Sequence, residues 1–160
     1  MQNNQRLYLF TLEVSPLTVD KVYNPLPSHL TLMSRFWSEL PPDKLASTVK
    51  PLFDMTPPIE LIFGDSVQLG PKKVAAHLLE HAVELKELHA NLRRLLDTAH
   101  VTYAYPQFTG DNHKPHISKR EGDGFMSGHK QMAAAVYLIE VVIKDEEHLR
   151  FVRAKFDLDS

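Results

Sequence analysis

Three places in this 160-residue chain set a histidine two positions before a hydroxyl residue: His29-Leu30-Thr31, His100-Val101-Thr102 and His116-Ile117-Ser118. On a β-strand, residues two apart point to the same face, about 6 to 7 Å apart along the strand. Imidazole and hydroxyl can then both face one phosphate. Two such strands related by pseudo-symmetry would surround that phosphate with two imidazoles and two hydroxyls. One neutral histidine takes a proton from an attacking oxygen while the other, protonated, gives one to the leaving oxygen. The near-neutral pKa of imidazole suits both roles. The hydroxyls would donate to the non-bridging oxygens, and this chemistry requires no metal.

With 9 histidines and 17 serines and threonines in the chain, roughly one such triplet is expected by chance. His100 is the one to set aside: it follows a leucine-rich helical stretch directly, where interaction with the helix C-terminus accounts for it. The other two form a pair. His116 follows Pro115, and alternation puts Arg120 on the strand face of His116 and Ser118. In "SHLTLMSRF", Ser28 to Phe36, alternation likewise puts Arg35 on the face of His29 and Thr31. The two histidines lie 87 positions apart, one in each half of the chain, and each stretch leads toward a helix and then an apolar strand.

The elements that must position these residues are readable in outline. "LYLFTLEV", Leu7 to Val14, is an apolar and aromatic strand, and "SHLTLMSRF" is a second. "PPDKLASTVKPLF" has helix signals, with prolines at the start, Asp43 in the first turn and Leu45, Val49 and Leu52 on one face; Pro51 should end it nearby. "PPIELIFGDSVQLGP" reads as a strand. "VELKELHANLRRLLDTAH" is the clearest helix, with Leu85, Leu88, Leu92, Leu95 and Leu96 at helical spacing. Beyond it come "VTYAYPQF", "KPHISKR", a short helix through "MSGHKQMAAA", and two strands, "VYLIEVVI" and "RFVRAKFDL". This order predicts an α+β domain with mostly antiparallel sheets rather than a doubly wound parallel sheet.

One segment reads two ways. "KVAAHLLE", Lys73 to Glu80, is either the front of the long helix or a buried strand before it. The choice decides a rival function, because "HLLEH" matches the H-x-x-E-H pattern of inverted zinc peptidases. A zinc hydrolase built on His77, Glu80 and His81 needs the helix. A strand would hold the two histidines about 13 Å apart.

Composition sets outer bounds. The length suits one domain, residues 1–160, able to bury its own core. The absence of cysteine excludes disulfides, thiolate metal sites and cysteine nucleophiles. No basic leader followed by an apolar run opens the chain, and no stretch approaches a membrane span, so a soluble, cytoplasmic, monomeric protein is expected. A formal net charge of −2 argues against a broad basic surface for duplex nucleic acid, while leaving room for a local groove that holds a short phosphate-bearing ligand.

The paired motifs "SHLTL" and "KPHIS" resemble those of the two-histidine (2H) phosphoesterases, a family that includes the RNA 2',3'-cyclic phosphodiesterases also called 2'-5' RNA ligases. The resemblance extends over nearly the whole chain, including "LGP" before a strand and "LKELHANLRRLL" between the motifs. It implies a bilobal, pseudo-twofold α+β fold, with two mostly antiparallel sheets forming a central groove and helices outside, and it implies that Lys73 to Glu80 is a strand. Carried over, His29 and His116 would be the general acid and base. Thr31 and Ser118 would hold the phosphate, and Arg120 and Arg35 would offset its charge. Tyr103, Tyr105 and Phe108, just before the second motif, could stack on a base. The "SKR" after His116 is more polar than the family's usual apolar continuation. The implied partners are RNA or oligonucleotide ends, or small cyclic nucleotides, with no cofactor. Degradation of 2'-5' oligoadenylates or cyclic oligonucleotides is an alternative within the family, and a non-catalytic RNA-binding protein is an alternative outside it. The remaining histidines, His89, His113, His129 and His148, are expected to be solvated, with His113 lying on the approach to the second motif.

Overall fold

The computed structural model describes residues 4–110, 113–119 and 124–159. Among them, ten strands and two α-helices follow in the order β1 (Arg6–Glu13), β2 (Val22–Tyr23), β3 (His29–Ser38), α1 (Pro42–Asp54), β4 (Ile59–Leu69), β5 (Val74–Glu80), α2 (Val83–Thr98), β6 (Thr102–Tyr103), β7 (His116–Ser118), β8 (Lys130–Ala133), β9 (Ala135–Lys144) and β10 (Glu147–Asp157). All recorded strand pairings are antiparallel. The strand order is β2-β10-β9-β1-β3-β7-β5-β4-β8, with β6 also on β3. One lobe is β2, β10, β9, β1 and β3, and the other is β7, β5, β4 and β8. They form one continuous sheet, because β3 pairs with β7 at Leu30 and Ile117.

The central strands β1 and β9 of the first lobe are buried on both faces for most of their length, which explains why they read as unbroken apolar runs. Tyr8, Phe10 and Leu12 of β1 and Val136 and Leu138 of β9 point into a core completed by Leu45, Val49 and Phe53 of α1 and Leu85, Leu88, Leu92 and Leu96 of α2. Rings interlock there, with Phe10 stacked on Phe36 at 5.8 Å and Phe53 tilted against Phe156 at 5.0 Å. The alternate residues, Leu7, Leu9, Tyr137, Ile139 and Val141, meet Leu17 and Leu26 of the β1–β3 connection on the opposite face. α1 starts at Pro42 and carries Pro51 inside its last turn, ending three residues later. No helix among the described residues is long and apolar enough to cross a membrane.

One open reading is decided and one expectation changes. Residues 74–80 form a strand, so the helix that a zinc site on His77, Glu80 and His81 requires is absent. His77 is buried beside Phe63 with its Nδ1 on the Gly64 carbonyl (2.9 Å), and His81 lies past the strand end at φ 52°. The short helix expected through "MSGHKQMAAA" is a turn followed by β8. Gly128 sits at φ 86°, and Lys130 to Ala133 extend the sheet against Ile62 to Ile59 of β4. Backbone pairing there overrides the helix propensity of the alanines.

Candidate active site

The two motifs meet at the seam between the lobes. Leu30 and Ile117 are paired across β3 and β7, and both are buried in the common core. Continuing that antiparallel register sets His29 opposite Ser118 and Thr31 opposite His116. Because Leu30 and Ile117 point inward, alternation turns all four of these side chains to the other, accessible face. Directly opposed side chains are about 5 Å apart at Cβ, and the diagonal pair His29 and His116 about 7 to 8 Å apart. The result is a square of two imidazoles at opposite corners and two hydroxyls at the others.

The histidines are held alike. His29 Nδ1 lies 2.9 Å from the carbonyl of Pro27, and His116 Nδ1 lies 2.8 Å from that of Lys114, each the residue two positions earlier. A carbonyl only accepts, so each Nδ1 carries the proton, and Nε2 carries the lone pair in the neutral ring. The intervening carbonyls are also used in parallel ways: Ser28 O accepts from Ser15 N (3.0 Å) and Pro115 O from Leu79 N (3.2 Å). Each histidine therefore follows an extended backbone step tied to a neighbouring segment, which fixes the ring's direction.

Arg35 reaches the same face as His29 and Thr31, although simple alternation does not hold along β3. The β1–β3 register shifts twice, between Tyr8 and Phe10 and between Phe10 and Thr11, and the two shifts restore the parity. Leu9, Leu26, His29, Thr31, Arg35, Tyr105 and Arg150 line a cavity of about 240 Å³ on the His29 side. Arg35 Nη1 donates to His148 Nδ1 (2.9 Å), and Arg150 Nη1 donates to Asn24 Oδ1 (3.1 Å) and the His148 carbonyl (2.7 Å). On the other side His116, Ser118, Lys114, Gln107 and Phe108 line a second cavity of about 590 Å³. Thr31 and Ser34 belong to both, so the two cavities are parts of one groove across the seam. Arg120 lies outside the described residues.

The aromatic candidates divide. Tyr105 and Phe108 are 42% and 54% exposed, 6.0 Å apart, and each lines one side of the groove. Tyr103 instead packs beneath Arg93 and donates to Asp97 Oδ1 (2.8 Å), and burial pushes its hydroxyl pKa upward. His100 lines neither cavity; it sits at φ 57° just past α2, with its amide on the Asp97 carbonyl. Ser34, Lys114 and Arg150 join the groove, and His148 holds Arg35, without any signal in the sequence motifs. Arg150 and His148 come from β10, far along the chain from Arg35, and no local pattern announces them.

The expectation that His89 and His113 are solvated is wrong, as their exposures are 2% and 9%. Their rings stack at 3.9 Å and 6°, with His113 in the wall of the second cavity and His89 beneath it; His113 Nε2 lies on the Thr31 carbonyl (3.1 Å) and His89 Nδ1 on the Leu32 carbonyl (2.7 Å). Burial first, then the neighbouring His89, pushes the His113 pKa down to about 4; burial likewise lowers that of His89. His129 is also partly enclosed, against Phe63 and Phe125 with Nε2 on Gln131 (2.9 Å). His148 is engaged by Arg35.

No family model and no curated protein matches the chain. Solved structures do. A phosphoesterase structure is similar over 99% of this chain and 100% of its own, with TM-score 0.63 and 14% identity. E. coli LigT in complex with NADP+ is similar over the same shares, with TM-score 0.62 and 14% identity. The Thermus thermophilus protein TT0787 is similar over 95% of this chain and 97% of its own, with TM-score 0.58 and 16% identity. The protein thus has the α+β fold of the LigT-type phosphoesterases, the fold that the two motifs implied.

Proposed function

We propose that this chain is a two-histidine phosphoesterase that hydrolyses 2',3'-cyclic phosphate or 2'-5' phosphodiester bonds of RNA or oligonucleotides without a metal. The observation that supports it most is the square of His29, Ser118, His116 and Thr31 with both Nδ1 atoms anchored on carbonyls. The fold shared with a phosphoesterase and with E. coli LigT, which has been solved in complex with 3'-AMP, ATP and NADP+, agrees with a nucleotide ligand.

In the hydrolysis of a cyclic phosphate, Nε2 of one neutral histidine takes a proton from water as its oxygen bonds to phosphorus. The bond from phosphorus to one ribose oxygen breaks, and the protonated partner histidine delivers a proton to that oxygen. Thr31 and Ser118 donate to the non-bridging oxygens, with Arg35 on the His29 side offsetting charge and Arg120 assigned the same role. Tyr105 stacks on a base. Replacing water by an RNA 5'-hydroxyl, in the reverse sense, gives ATP-independent 2'-5' ligation through the same groups. The test is a panel of 2',3'-cyclic, 2'-5' linked and cyclic oligonucleotide substrates in EDTA, with the position of the product phosphate determined. Turnover of a cyclic-phosphate or 2'-5' substrate supports the proposal, and no turnover of any of them refutes it.

A further inference from the structure

Between its pairing with β7 at Leu30 and with β6 at Phe36 and Trp37, the outer edge of β3 has no strand beside it among the described residues. The gap begins at Thr31 and Leu32, where the register to β1 shifts, and runs to Arg35, whose carbonyl accepts from the Ala104 amide (2.9 Å). A buried carbonyl there must find a donor elsewhere. Two imidazoles supply them: His113 Nε2 for Thr31 and His89 Nδ1 for Leu32. His89 is fully satisfied as a neutral ring, because its Nε2 accepts from the Gly110 amide (2.9 Å). His113 is not: with its proton on Nε2, its buried Nδ1 has no hydrogen-bond partner among the described residues. A ring filling space alone would leave no such atom, since a phenylalanine would stack on His89 without the cost of a buried unpaired nitrogen.

The placement of His113 gives that cost a purpose. It bonds to the backbone of Thr31 in the first motif and stands three residues before His116 in the second, so one side chain ties both halves of the square together. We propose that His113 is a positioning residue that braces Thr31 against the segment carrying His116, keeping the hydroxyls and imidazoles at the separation that fits one phosphate. Its ring forms part of the wall of the second cavity, but Nε2 is engaged by the Thr31 carbonyl and Nδ1 is buried, so it acts through the Thr31 peptide. This inference rests on the phosphoesterase reading of the groove.

The test compares His113→Phe, which keeps the stack and removes the donor, with His113→Gln, whose amide can still reach the Thr31 carbonyl. Measured are kcat and KM for a 2',3'-cyclic nucleotide, affinity for inorganic phosphate, and the thermal unfolding midpoint. In His113→Phe, kcat falls about tenfold or more and phosphate binds more weakly, while the midpoint stays within a few degrees of the parent; His113→Gln recovers most of the loss. Wild-type kcat and phosphate affinity in His113→Phe overturn the brace, as does a loss fully accounted for by unfolding. His29→Ala separates the two claims. If it silences the chain while His113→Phe matches wild type, the brace alone fails. A wild-type protein that neither binds phosphate nor turns over the nucleotide overturns both.

Discussion

The stacked histidines make acid stability a sharp test of the packing at the groove wall. His113 is held neutral in the folded chain with its pKa pushed down to about 4 from an ordinary value near 6.5, by burial first and then by His89, with His116 and Lys86 adding to the shift and the Thr31 carbonyl opposing it. The folded state therefore binds fewer protons at this site than the unfolded state whenever the pH lies between those values. Stability from this group is present above about pH 6.5 and is lost as pH falls toward 4. A shift of this size corresponds to about 3 kcal/mol in full, of which about 2 kcal/mol disappears between pH 7 and pH 5. Other groups titrate in the same interval, so the measurement is a difference of differences: urea unfolding of the wild type and of His113→Phe at both pH values. The wild type should lose about 2 kcal/mol more than the variant on acidification. Equal losses would show that His113 is not buried and neutral as described.

Three further outcomes follow from the same structure. Ile117→Ala empties a fully buried position at the seam and should cost about 2 to 4 kcal/mol in chemical denaturation, with loss of hydrolysis before global unfolding as the square loosens. Tyr105→Ala and Phe108→Ala change exposed side chains and should leave stability within about 0.5 kcal/mol, while steady-state kinetics with an oligonucleotide show KM rising about tenfold for Tyr105→Ala. His100→Gly relieves a left-handed backbone at φ 57° and should raise the unfolding midpoint slightly with hydrolysis intact; loss of hydrolysis would mean that the wrong triplet was set aside.

How much of the site is legible in the sequence depends on whether a residue's role is local. His29, Thr31, His116 and Ser118 are readable because strand alternation alone decides which face they share. Alternation also puts Arg35 on the correct face, but for an incomplete reason, since two register shifts in β3 cancel and neither leaves a mark in the residue pattern. His89 and His113 mislead because nothing near them in sequence announces that the outer edge of β3 is left uncovered at Thr31 and Leu32; that follows from where β6 and β7 stop along β3. Segment 74–80 is undecidable from periodicity, and its strand state comes from pairing with β4 and β7. The same is true of β8, where edge pairing prevails over alanine propensity.

Two imidazoles at opposite corners of one square acting as acid and base are tested most directly by hydrolysis of a 2',3'-cyclic nucleotide, in the presence of EDTA, by the wild type, His29→Ala and His116→Ala. The wild type should turn the nucleotide over, and each single variant should lose at least about a hundredfold, since each proton transfer supports one side of the same step. Turnover that survives in either variant, or that EDTA abolishes in the wild type, would contradict paired-histidine catalysis.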